Sequence, residues 1–404
     1  MRIGILTLHY GYNEGAILQS MALSCLLKET LTDVEVSIID QRYPKKSVIY
    51  GPPDDARKKA LQSAIDHWLP LSRTRFRDDD HKKVFKFCQE HFDAIVVGSD
   101  VVWSLKYTGR FRRLLGNGIL PRQIEPFHPA FPNVYWPDAS ANQNRFAYAA
   151  SCGNLRPADI PRSHRRQMAS ILDGFKAISV RDKRTLDLVC SLSTNLTSRS
   201  CVVPDPTLAF NLLEKFNGAS AEEKLQYATK RGKEKTVLVI MKESPLSLAV
   251  VDALKRRGFS VVTTGHFQGL PTSDLLPLGL TPMEWAWMPR KFHFCITERM
   301  HATIFCVLNR TPILALDMNT RHQDSRTKLE ELMVNLGFGV SCFHQADLEE
   351  SRIENILKQF LSTSFDWSKA ESTLIEWRDD ARVFIRNLST TVAYVFLSTA
   401  MNAF

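Results

Sequence analysis

Arg299 and His301 stand two residues apart in FCITERMHATIF, where an apolar run gives way to an apolar helical pattern. Arginine keeps its charge at any physiological pH, and histidine titrates near neutrality. Together they can hold an anion and move a proton at one place. Arg-x-His is common; its place on a strand-to-helix turn singles it out. Arg181 follows another apolar run in AISVRDK. There it is placed for a bidentate grip on a carboxylate or phosphate, or for pairing with Asp182 or Asp187 at a helix start. Three turns add candidate binding groups: Asn13 and Gly15 in HYGYNEGA, Gly98, Ser99 and Asp100 in VGSDVVW, and Ser151 and Gly153 in SCG. Each reads equally as a strand-to-helix turn closed by a capping side chain. Asp205, between Pro204 and Pro206, reads as a residue that fixes a turn.

The elements that must carry these residues follow from hydrophobic spacing. Short apolar blocks at 3–8, 34–39, 94–97, 146–150, 177–180 and 201–203 predict buried strands, and a helical period over 15–29 completes a βαβ unit. After a charged stretch at 221–235 the pattern restarts, with strands at 236–240, 261–264, 292–296 and 312–316. Helices are expected at 245–257, 302–308 and 324–336. Two doubly wound, Rossmann-like α/β lobes facing across a cleft are expected, at 1–215 and 216–366. A helical segment over 367–404 is expected to pack back on the body. In such sheets ligands bind beyond the carboxyl ends of the strands, where all the candidate residues above fall. Residues 104–145, rich in proline, aromatics and arginine, break the rhythm as a long loop.

The chain has 404 residues, too many for one core, because single cores stop growing at roughly 250–300 residues. With 44% hydrophobic and 24% charged residues it is globular and not disordered. The net charge of +9 favours anionic partners, an acidic membrane face included, so peripheral membrane association is compatible with it. Its basic residues are scattered, which argues against nucleic acid. The eight cysteines form no CxxC pair, and several sit in apolar runs, so neither a zinc site nor a disulfide scaffold is expected. GxGxxG, Walker A, HExxH and GxSxG are all missing. With no signal-like N-terminus and no apolar run of about 20 residues, a cytoplasmic protein is expected.

Six collinear stretches resemble the polysaccharide pyruvyl transferase family: IGILTLHYGYNEGAILQSMAL, FDAIVVGSDVVW, FAYAASCG, AISVRDK, VVPDPTL and FCITERMHATIFCVLNRTPILAL. The resemblance implies two lobes arranged as in GT-B glycosyltransferases. It implies transfer of the enolpyruvyl part of phosphoenolpyruvate to a sugar of a polysaccharide or lipid-linked glycan, often closing a cyclic ketal. The family's Arg-x-His falls on Arg299 and His301, and its cleft arginine on Arg181. A first-lobe histidine found in one branch has its nearest counterpart in His128. The loop 104–145 would then face the acceptor and the second lobe the phosphoenolpyruvate. No metal or redox cofactor is implied. The chain departs from the family pattern at His293, Ala302, Cys152 and Glu14, which leaves the acceptor open. A nucleotide-sugar glycosyltransferase of the same architecture, or a non-catalytic glycan-binding member, stands as the alternative.

Overall fold

The computed structural model describes residues 1–11, 13–42, 56–77, 80–107, 112–113, 119–120, 130–226, 232–263, 274–275, 279–319 and 326–401. The first lobe is a parallel sheet of β1 (Arg2–Leu6), β2 (Glu35–Gln41), β3 (Leu71–Phe76), β4 (Ala94–Val97), β5 (Arg145–Ala150), β6 (Phe175–Val180) and β7 (Ser200–Val202), in the order β3-β2-β1-β4-β5-β6-β7. The second lobe pairs β8 (Thr236–Ile240), β9 (Ser260–Thr263), β10 (Asp274–Leu275), β11 (Cys295–Thr297), β12 (Ile313–Asp317) and β13 (Cys342–His344) in the order β10-β9-β8-β11-β12-β13. Both sheets reverse direction beside their first strand. Each therefore has a topological switch point, between β1 and β4 in one lobe and between β8 and β11 in the other.

The central strands are apolar because helices cover both faces; β4, β5, β8 and β12 are buried along their whole length. The helices that reach the site are α1 (Glu14–Thr30), α2 (Ala56–Trp68), α3 (Lys183–Leu192), α4 (Pro206–Ala209), α5 (Pro282–Trp287), α6 (Met300–Leu308), α7 (Lys328–Asn335) and α8 (Trp367–Met401). Their starts are set by the chain's own caps: Asn13, Asp182, Asp205 and Thr327 each accept a backbone N–H from the first turn. The C-terminal helix α8 spans both lobes. Ala370 and Leu374 join the second-lobe core, whereas Ala381, Phe384, Ile385 and Leu388 are buried with Ile3, Ile5 and Ile17 of the first. The whole is a GT-B-like pair of Rossmann-like lobes with a terminal helix folded back.

The structure departs from the sequence reading at the sheet edges. Strands β3, β10 and β13 are additional; β3 (LSRTRF) carries charge because its Arg75 reaches Asp40 of β2 at 2.7 Å. The long loop is anchored at its described ends by Trp103, Leu105, Tyr135 and Trp136, all in the first-lobe core. Tyr135 and Trp136 are therefore not offered to a sugar. His128 lies outside the described residues. Among the described residues no helix is long and apolar enough to cross a membrane.

Candidate active site

The loops at the first-lobe switch point are locked together from inside. Gln19 of α1 donates through Nε2 to Thr7 Oγ1 at 3.0 Å and to the Leu8 carbonyl at 2.8 Å, while its Oε1 accepts from the Ser99 hydroxyl. Thr7 in turn donates to the Ser99 carbonyl at 3.0 Å. Gly98 is required here: its φ is +110°, and a Cβ would lie 2.2 Å from the Tyr148 carbonyl oxygen. Ser99 and Ser151, expected as ligand donors, are fully buried with their hydroxyls spent inside the protein. Ser151 donates to Asp182 at 2.7 Å and receives the Gly153 N–H, so both serines brace loops instead of facing the cleft. Asn13 caps α1 through its side-chain oxygen.

Arg181, at the carboxyl end of β6, is only 2% exposed along its side chain. Its Nη1 donates to Asp205 at 2.8 Å, and its Nη2 lies 3.6 Å from Asp100, at the end of β4. Burial works against the guanidinium charge, but Asp205 and Asp100 reverse this and hold its pKa above the ordinary value. Two of its nitrogens are thus turned to carboxylates, so Arg181 makes an acidic pairing of the kind the sequence left open, with Asp205 and Asp100 in place of Asp182 or Asp187. Asp205 does more than fix a turn. It is buried, accepts from Thr207 N and Oγ1 at 3.0 and 2.6 Å, and lies 3.5 Å from His301 Nε2. Burial pushes its carboxyl up, yet His301, Arg181 and Thr207 together hold it well below the usual range, so it stays an anion.

The second lobe supplies the groups that remain free. Thr297, at the end of β11, donates to the Ile240 carbonyl and accepts the Arg299 N–H, each at 3.0 Å. Glu298 accepts the Lys242 N–H at 2.9 Å, tying the loops after β8 and β11 together at the switch point. Arg299 is the N-cap of α6, half-buried, with no hydrogen bond or ion pair to its guanidinium among the described residues. His301, in the first turn of α6, leans across the cleft against Gly15 of α1. A Cβ on Gly15 would lie 2.3 Å from His301 Nδ1, so the glycine is what admits the ring. Gly15, a candidate binding residue or turn glycine in the sequence, is the surface against which the histidine packs.

One cation escaped the sequence reading. Lys328 opens α7, behind the Thr327 cap, which itself donates to Asp317 at the end of β12. It lines a cavity with Arg181 and Asp205, and among the described residues its ammonium has no hydrogen bond or ion pair. Burial and the nearby Arg181 charge lower its pKa, against Asp100, Asp182 and Asp317. Among the described residues Arg299 and Lys328 are thus two cations without a partner, Lys328 sharing a cavity with Asp205, and His301 is backed by the Asp205–Arg181 pair. Groups of these types are chemically able to hold an anion and to move a proton. Among the described residues no group of three or more His, Cys, Asp or Glu side chains is placed to hold a metal ion.

A sequence profile of the family described as polysaccharide pyruvyl transferase matches residues 13–320. The chain belongs to the polysaccharide pyruvyl transferase family. It is accordingly a transferase, and Asn13, Arg181, Asp205, Arg299 and His301 all fall within the matched segment. A search of curated proteins gives no match. Among solved structures, the fold is similar to the UDP-GlcNAc 2-epimerase of Neisseria meningitidis (TM-score 0.58, 10% identity, covering 97% of this chain and 100% of that one). It is also similar to that of Methanocaldococcus jannaschii (TM-score 0.57, 10% identity, 96% and 100%). At that identity the likeness is one of fold.

Proposed function

We propose that the protein transfers the enolpyruvyl group of phosphoenolpyruvate to a sugar of a polysaccharide or lipid-linked glycan and closes a pyruvate ketal on it. The observation that supports this reading is the meeting, across the cleft, of His301 from the second lobe with the buried carboxylate of Asp205 from the first, on the same lobe as two cations, Arg299 and Lys328, that have no partner among the described residues. Phosphoenolpyruvate bears a carboxylate and a phosphate, and Arg299 and Lys328 answer these two charges. His301 gives its proton to the vinyl CH2, making a methyl group, and positive charge develops at the adjacent carbon. A sugar hydroxyl adds to that carbon and returns its proton to the imidazole. A second hydroxyl then displaces phosphate, which leaves as the ketal closes. Asp205, held anionic 3.5 Å from His301 Nε2, orients the ring for both proton transfers. The reaction balances without a redox partner or a cofactor, and phosphoenolpyruvate is a substrate in it.

The test is phosphate release from phosphoenolpyruvate, with and without a panel of glycosides. Release should depend on the acceptor and should fall at least about 100-fold in both Arg299→Ala and His301→Ala. A protein stabilised thermally by a nucleotide sugar such as UDP-GlcNAc, and not by phosphoenolpyruvate, would instead be a glycosyltransferase of the same architecture.

A further inference from the structure

The geometry points to a subsite for the acceptor sugar in the cavity beneath the C-terminal helix, with the indole of Trp377 as the platform for one pyranose ring. This rests on the phosphoenolpyruvate reading and adds where the second substrate sits. The cavity, about 170 Å³, lies where the ends of β6 and β7 meet α4, α6, α7 and α8, and its polar and aromatic lining includes Arg181, Asp205, Lys328, Glu331, Trp377 and Asp380. That lining does not suit an anion alone, because three carboxylates share it with two cations. It suits a neutral polyol, whose hydroxyls can donate to a carboxylate such as the exposed Asp380 while a ring face lies on the indole.

Trp377 is half-buried, its ring packed against the second-lobe core, so the indole is held in place before any ligand arrives. A fixed aromatic surface with a few converging polar groups is the common make-up of a small-molecule pocket. The C–H face of a pyranose lies naturally on such a ring. The next residue, Arg378, donates to the Leu208 carbonyl at 3.3 Å and pins α8 to α4 along the cavity's edge. At the inner side, Arg181 Nε is buried and has no partner.

Asp205, Arg299 and His301 lie inside the segment shared with the family, whereas Lys328, Glu331, Trp377 and Asp380 lie beyond its end at residue 320.

Saturation-transfer NMR with the methyl hexopyranosides of glucose, galactose and mannose tests this on the full chain, alongside thermal shift with phosphoenolpyruvate. At least one glycoside should bind the wild type, and its affinity should fall roughly tenfold in Trp377→Ala. Trp377→Phe should retain binding. Asp380→Asn, at an exposed position where folding is not at stake, should weaken it, with the phosphoenolpyruvate shift kept in every variant. The proposal is overturned if no glycoside contacts the wild type, or if binding survives both Trp377→Ala and Asp380→Asn. Glycoside binding lost on Trp377→Ala, in a protein that phosphoenolpyruvate does not stabilise, would support the subsite and refute the donor reading.

Discussion

At Gly15 the absence of a single carbon decides where the His301 ring can sit. Alanine there would suit the first turn of α1 better than glycine does, since helix propensity favours it by about 1 kcal/mol. The added methyl would nevertheless stand 2.3 Å from His301 Nδ1 and force the imidazole away from Asp205. Because the clash reaches back to His301 Cγ and Cβ at 2.4 and 2.7 Å, Gly15→Ala should lower stability by about 1–3 kcal/mol, a loss the fold survives. It should lower acceptor-dependent phosphate release by about 100-fold, the usual cost of a 1 Å misplacement. Stabilisation by phosphoenolpyruvate should persist, because Arg299 and Lys328 are untouched. Full turnover in Gly15→Ala would show that His301 does not work from the position seen here.

The element scale shows what a linear reading can and cannot reach. Central strands such as β4 and β8 are legible from their residues because a parallel strand covered on both faces must be apolar end to end. The strand β3 is not, because its stability comes partly from Asp40. That carboxylate is 2% exposed and receives Arg42, Arg75 and His9 at 2.6, 2.7 and 3.2 Å. Burial raises its pKa, but His9, Arg42 and Arg75 hold it below the usual carboxylate range. A depressed native pKa stabilises the fold above the unfolded value near ~3.9 and loses that contribution as pH falls below it. Asp40→Asn should thus cost about 3 kcal/mol at pH 7, the cost of breaking a buried pair, with the gap to wild type closing below about pH 4. Urea titrations at the two pH values would measure it; an equal gap at both would show that the carboxylate charge is not what matters. The site divides similarly. Arg299 and His301 announce themselves at a strand end, whereas Lys328 follows a polar loop whose sequence gives no hint that it returns to the cleft. Asp205 looks like a proline-flanked turn until Arg181 and His301 are seen on it. Ser99 and Ser151 look like donors until Gln19 and Asp182 are seen to occupy them.

Over the whole molecule the two lobes are less separate than two sheets suggest. Leu18 of α1 and Leu208 of α4, first-lobe residues, are buried in one cluster with Trp285, Trp287 and Phe305 of the second. Glu331 of α7 accepts the Lys183 N–H of α3 at 3.1 Å, and His301 packs on Gly15. Shared apolar contact of this kind couples unfolding, so calorimetry should give a single endotherm. Two resolved endotherms would show that the lobes hold together on their own and that the common cluster contributes little.

The helix α8 has a consequence for how the chain is made. Synthesis delivers Val202, and with it every strand of the first sheet, well before Phe384, Ile385 and Leu388 leave the ribosome, yet these three side chains complete that sheet's core. The nascent first lobe must wait with an apolar face open to solvent through the translation of the entire second lobe. A message truncated after residue 366 would release a polypeptide that has both sheets and keeps that face uncovered, a substrate for chaperones and proteases rather than a smaller enzyme.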